Sequence, residues 1–142
     1  IIVGRGKLHK DLLEYIERND LTNFVKIINF VENPFTLLKQ TELFILSSKY
    51  EGLPNVLLEA LTLRKFIISS NCPTGPKEIL LNGKGGLLFK VGNHNQLAKK
   101  ILYYVKNKKK CLKMLQYAIQ NLYRFDYQKN LKKYLNLVNQ II

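Results

Sequence analysis

Short apolar runs alternating with segments of helical period organise roughly the first hundred residues of this chain, and no other feature restricts the fold as strongly. The runs fall at residues 1–3, 25–30, 43–46, 66–69 and 86–89. They are rich in β-branched and aromatic residues, and most lack polar alternation, as expected of strands covered on both faces. Between them, Leu8, Leu12, Leu13 and Ile16 line one face of a first helix. Pro34 opens a second, backed by Leu37, Leu38 and Thr41. Pro54 opens a third with Leu57, Leu58 and Leu61, and Pro76 a short fourth with Ile79 and Leu80. Strands alternating with helices predict an α/β fold, a parallel sheet with helices on both faces. From Gln96 onward the pattern is helix alone. Its apolar stripes are Leu97, Ile101, Leu102 and Val105, then Leu112, Leu115, Ile119 and Leu122, then Leu131, Tyr134, Leu135 and Val138.

Size and composition narrow the class. A chain of 142 residues corresponds to one domain at roughly 100–200 residues each, which excludes functions needing two full domains in one polypeptide. The hydrophobic share of 46% excludes intrinsic disorder despite the charge. No apolar run approaches the ~20 residues that span a bilayer, and the start carries no secretory signal pattern. There is no internal repeat and no Gly/Ser/Pro linker. The chain begins at Ile1 and its only methionine is Met114, so a piece of a longer product is expected. Cys72 and Cys111 read most simply as reduced thiols of a cytosolic protein, with a disulfide between them left open. His9 and His94 lack a ligand partner at i+3 or i+4, so no metal is expected.

The formal net charge is +13, and it is unevenly spread. Residues 95–142 hold ten lysines and Arg124 against the single acid Asp126. Lys106, Lys108, Lys109, Lys110 and Lys113 form the densest part. A solvated helix face is the plain explanation. Docking on an anionic membrane surface or a phosphate-bearing partner is the functional one. No nucleic-acid motif accompanies the charge, so no nucleic acid is expected.

One segment is more specific than the rest. After the apolar run at 43–46, Ser47-Ser-Lys-Tyr-Glu51-Gly-Leu-Pro54-Asn-Val-Leu-Leu-Glu59 reads as strand end, loop and helix start. Proline suits the first helical position, where the N–H has no intrahelical partner. The amides of Asn55, Val56 and Leu57 are then expected free at the positive end of a helix, which makes an anion site fit for phosphate. Gly52 lets the backbone approach a ligand closely. Glu51 and Glu59 flank that site. Two anions do not neutralise a phosphate, but both can accept hydrogen bonds from the hydroxyls of a sugar or ribose.

The pair Glu51-x7-Glu59 in this context resembles the signature of the family 4 retaining GT-B glycosyltransferases. Further similarities follow in order: Val3-Gly-Arg-Gly6, Asn33-Pro34, Asn71-Cys-Pro-Thr-Gly-Pro-Lys-Glu-Ile-Leu80, Gly83-Lys-Gly-Gly-Leu-Leu88 and Val91-Gly-Asn93. They resemble the C-terminal, donor-binding domain of a branch that builds polysaccharide, lipopolysaccharide or capsule in bacteria. The resemblance covers about residues 1–105. It implies a Rossmann-like three-layer sandwich with a parallel sheet, half of a GT-B fold, with residues 106–142 a basic helical tail packed on the same domain.

The resemblance also implies roles. Glu51 contacts the donor sugar near the reacting carbon. Gly52, Leu53, Pro54, Asn55 and Val56 face the sugar and diphosphate through backbone, and Glu59 holds the ribose hydroxyls. Phe30, Val31 and Glu32 frame the base. The donor is a nucleotide sugar, UDP-linked, carrying a hexose or N-acetylhexosamine, and no metal or other cofactor is required. The acceptor is a glycan or lipid-linked sugar. The expected location is cytoplasmic, peripheral on the inner face of the bacterial inner membrane.

Three departures stand out. The family's first strand–helix unit, with the Arg and Lys that neutralise the diphosphate, has no counterpart, since Arg5 and Lys7 do not match their place. The N-terminal GT-B domain that binds acceptor is likewise expected to lie outside these residues. The isolated chain is therefore expected to be an inactive fragment. A non-catalytic nucleotide-sugar-binding subunit is one alternative. A membrane- or anion-binding module with a vestigial nucleotide site is another. Finally, Arg64-Lys65-Phe66 stands where the family usually has glycine before the strand that enters the Cys-Pro loop, a bulky turn expected to be tolerated at modest cost unless φ there is positive.

Overall fold

The computed structural model describes residues 1–141. The chain divides into two compact units, Ile1–Leu37 and a second that begins at Leu38.

In the first unit, β1 (Ile2–Val3) pairs in parallel with β2 (Ile27–Ile28), Ile2 opposite Ile27. Helix α1 (His9–Arg18) connects them, and α2 (Pro34–Gln40) follows and crosses the boundary between the units. The Asn33-Pro34 pair has a local purpose. Asn33 Oδ1 accepts the Phe35 amide at 3.0 Å and the Asn33 carbonyl accepts the Thr36 hydroxyl at 2.9 Å, so the residue before the proline closes the first turn of α2. The apolar stripe of α1 forms, but only Ile16 is buried; Leu8, Leu12 and Leu13 stay exposed. A sheet of two two-residue strands offers too small a face to cover a helix of this length.

The second unit is built on a parallel three-stranded sheet in the order β3 (Leu43–Leu46), β4 (Phe66–Ser70), β5 (Leu87–Phe89). Leu43 lies opposite Phe66, and Ile68 opposite Leu87. Between the strands run α3 (Asn55–Thr62) and the short α4 (Pro76–Ile79). After them come α5 (His94–Lys106), α6 (Lys108–Gln120) and α7 (Tyr127–Asn139). All five residues of the central strand β4 are buried, as its unalternating sequence requires. The chain thus has the parallel sheets and flanking helices of the α/β class.

Helix α3 has eight residues, too few to stand alone in water. It is held by packing. Leu57, Ala60 and Leu61 are buried with Phe66, Ile67 and Ile68 and with Cys111, Leu115 and Ala118 of α6. Each fully covered leucine contributes about 1.5–3 kcal/mol. Gly85 lets α6 approach, because a Cβ there would stand 2.8 Å from the Ala118 Cβ. Both cysteines are buried and free, and burial pushes the Cys111 thiol up. Helix α7 buries no residue among those described, so its stripe at Leu131, Tyr134, Leu135 and Val138 is a helical face left largely in solvent.

The end of α3 settles the question of Arg64. The Lys65 amide bonds to the Ala60 carbonyl at 2.8 Å and the Arg64 amide to the Leu61 carbonyl at 2.9 Å. These are the two bonds of a Schellman cap, and the residue after the helix must then be left-handed. Arg64 has φ +58°. The position favours glycine, and arginine there carries strain of roughly 1–2 kcal/mol. Arg64→Gly is therefore expected to raise stability by about 1 kcal/mol, after the entropy cost of glycine, read as an increased urea midpoint at unchanged m-value.

Candidate functional site

Because β3 and β4 are parallel, the loops that follow them emerge at the same, C-terminal edge of the sheet. Ligands of open α/β sheets bind at that edge. The loop after β3 carries Ser47 to Pro54, and the loop after β4 carries Asn71 to Gly75. Three interactions hold the first on the second. The Ser70 hydroxyl donates to the Ser48 carbonyl at 2.6 Å, and the Thr74 hydroxyl donates to the Glu51 carbonyl. The third is a close approach. Gly75 has φ +84°, and a Cβ there would stand 2.2 Å from Pro54 Cδ and 2.6 Å from the Gly52 carbonyl oxygen. Thr74 is left-handed too, with φ +60°. The loop after β4 is a floor shaped to one conformation of the loop above it.

The upper loop is open on its other side. No atom lies within 4 Å of the position a Gly52 Cβ would take. Pro54 is buried and extended (φ −73°, ψ 89°), so it caps α3 from outside, and the helix starts at Asn55 rather than at the proline. Its carbonyl accepts the Leu57 amide at 2.9 Å. Of the three amides expected to be free, Leu57 is therefore committed within the turn. Those of Asn55 and Val56 form no hydrogen bond among the described residues. With the partial positive charge of a helix start behind them, they are suited to an anion. Glu51 and Glu59 are both half-buried, one in the loop and the other on the second turn of α3. Leu53 and Asn55 are exposed. Phe30, Val31 and Glu32 belong to the first unit, where they join β2 to α2, with Phe30 79% exposed and Val31 half-buried. Among the described residues, no three His, Cys, Asp or Glu side chains gather as metal ligands would.

Ser48, Ser70, Thr74 and Gly75 position this site, and the sequence alone did not single them out. The signal present was Thr74-Gly75-Pro76, a turn whose glycine precedes a proline and so marks a special backbone.

The sequence profile of the family described as "Glycosyl transferases group 1" matches residues 1–121. The chain is 46% identical over 80 residues to the uncharacterized glycosyltransferase MJ1059 of Methanocaldococcus jannaschii, a stretch covering 56% of this chain and 20% of that protein. It is 27% identical to the N,N'-diacetylbacillosaminyl-diphospho-undecaprenol alpha-1,3-N-acetylgalactosaminyltransferase of Campylobacter jejuni, covering all of this chain and 44% of that one. Among solved structures it resembles a mutant of Staphylococcus aureus TarM crystallised with fondaparinux, alpha-GlcNAc-glycerol and UDP. The TM-score is 0.85 and the identity 27%, over 97% of this chain and 28% of the other. The chain thus spans less than half the length of each of these proteins, and its parallel α/β architecture is that of GT-B glycosyltransferases. The profile match covers both units from Ile1 through α6, including the loop that carries Glu51 and Glu59, and the chain belongs to the group 1 glycosyl transferases.

Proposed function

We propose that this chain is the donor-binding part of a retaining glycosyltransferase that takes a hexosyl or N-acetylhexosaminyl group from a UDP-sugar. The observation that carries the reading is the open loop above the Thr74-Gly75 floor, where the unpartnered Asn55 and Val56 amides stand between two half-buried carboxylates. The amides take the diphosphate, Glu59 accepts from the ribose hydroxyls, and Glu51 faces the sugar near its anomeric carbon. UDP in the TarM crystals and the N-acetylgalactosaminyl transfer named for the Campylobacter relative support the donor class.

Transfer exchanges one bond for another at the anomeric carbon. The bond from the anomeric carbon to the diphosphate oxygen breaks, the acceptor hydroxyl oxygen takes its place, and that hydroxyl's proton leaves with the diphosphate. Charge develops on the diphosphate, where preorganised amides stabilise it most effectively. In this reading no metal is used, and an N-terminal GT-B domain supplies the glycan or lipid-linked acceptor. The chain alone is expected to bind UDP and not to turn over a UDP-sugar, because transfer needs both substrates held together out of water. Calorimetric titration of UDP tests the site. Gly52→Ala is expected to fold normally, since its Cβ meets nothing, yet to weaken UDP about tenfold by filling ligand space. Equal affinity in the two proteins would contradict the placement.

A further inference from the structure

A cavity of about 480 Å³ opens at the opposite, N-terminal edge of the three-stranded sheet, beside Phe66 at the start of β4. Its floor is apolar: Phe66 stacks on Tyr104 with ring centroids 5.0 Å apart, and Leu115 is buried beside them. Its rim is cationic. Arg64, Lys65, Lys108 and Lys109 line it against one acid, Glu42. Lys108 pairs with Glu42 and holds that carboxyl below its ordinary value, while its ammonium also lies 4.2 Å from the centre of the Tyr104 ring. Lys65 Nζ donates to the Lys39 carbonyl at 2.7 Å. Among the described residues Arg64 and Lys109 make no ion pair.

Two locally unfavourable choices converge on this rim. Arg64 occupies a left-handed position that favours glycine. Lys108, Lys109 and Lys110 crowd the first turn of α6, the positive end of the helix, where like charge is disfavoured. Local rules are broken in this way where function requires it. The same mouth carries exposed Leu112, which a site for a small soluble anion does not need.

We propose that this cavity binds the headgroup phosphate of an anionic phospholipid and seats the second unit on a membrane surface, with Leu112 entering the interface. The Arg64 and Lys109 side chains take the phosphate at the mouth, the rest of the headgroup enters the cavity over Phe66 and Tyr104, and the acyl chains stay in the bilayer beside Leu112. The site lies at the other end of the sheet from the Glu51 loop, so occupancy of one leaves the other free. It is independent of the donor reading, and it locates the expected membrane contact partly outside the basic tail.

Co-sedimentation of the full chain with phosphatidylcholine vesicles, with and without about a third phosphatidylglycerol, tests this at about 0.1 M salt. Binding is expected only with phosphatidylglycerol and is expected to be unchanged by saturating UDP. Arg64→Gly combined with Lys109→Gln is expected to reduce partitioning at least tenfold, while Lys132→Gln with Lys133→Gln on α7 reduces it less than threefold. The cavity variant keeps its fold, since glycine suits position 64 and Lys109 is exposed. Equal losses in the two pairs would show diffuse charge attraction and overturn the proposal. So would displacement of the chain from vesicles by millimolar glycerol phosphate, which would make this a site for a soluble phosphate ester.

Discussion

Gly75→Ala is expected to destabilise the second unit by about 3 kcal/mol, the largest loss from a single methyl group anywhere in the loops that shape the site. Two costs add. An L-residue in the left-handed region pays roughly 1–2 kcal/mol, and forcing a methyl group into packed surroundings adds about 1–3. Here the methyl would stand 2.2 Å from Pro54 Cδ and 2.6 Å from the Gly52 carbonyl. The proline ring is rigid and the carbonyl is backbone, so neither retreats without moving the loop. The variant therefore loses stability and misplaces Glu51 to Asn55 together. Urea denaturation reads the first effect. Gly52→Ala, only a loop's thickness away, supplies the contrast with a change within ~0.5 kcal/mol. Equal stability of the two variants would mean that the floor does not hold the loop.

Glu59→Ala is expected to weaken UDP roughly tenfold to a hundredfold. Hydrogen bonds to a charged acceptor contribute about 1.5–3 kcal/mol, and each 1.4 kcal/mol is tenfold in affinity. The specific form of this expectation lies in the ligand. Dideoxy-UDP, lacking both ribose hydroxyls, should lose a similar factor against the native chain and almost nothing against Glu59→Ala. That non-additivity is the coupling between carboxylate and hydroxyls. Glu59 is half-buried on a helix whose inner face is made by Leu57, Ala60 and Leu61, so its removal should leave folding nearly unchanged. Full loss of the hydroxyl effect only when Glu51 is replaced would exchange the roles of the two acids.

Element type was legible along the chain because it depends on local period. The unalternating run at 66–69 announced a strand covered on both faces, and β4 is buried throughout. Burial was less legible, because it depends on what faces a stripe. Leu12 and Leu13 lie on α1 as read and remain exposed, Leu8 falls just before the helix, and the α7 stripe is at most half-buried. In the candidate site, Glu51, Gly52 and Glu59 could be named from one segment. Thr74 and Gly75 act on that segment from 23 residues away, through a hydrogen bond and a contact that only the sheet register creates. Arg64 concealed its positive φ, since the residue type argues against it. The cationic cavity was hidden for a similar reason. Arg64 and Lys65 stand far in sequence from Lys108 and Lys109, and the charge counted along the chain pointed to the tail alone.

A titration of the native chain with UDP, followed by amide NMR, tests the donor site most directly. Saturable shifts are expected at Gly52, Asn55, Val56 and Glu59, with the Asn55 and Val56 amides moving most as they take the diphosphate. Shifts confined to the cavity around Tyr104 and Lys108, or no saturation up to about 10 mM UDP, would contradict it.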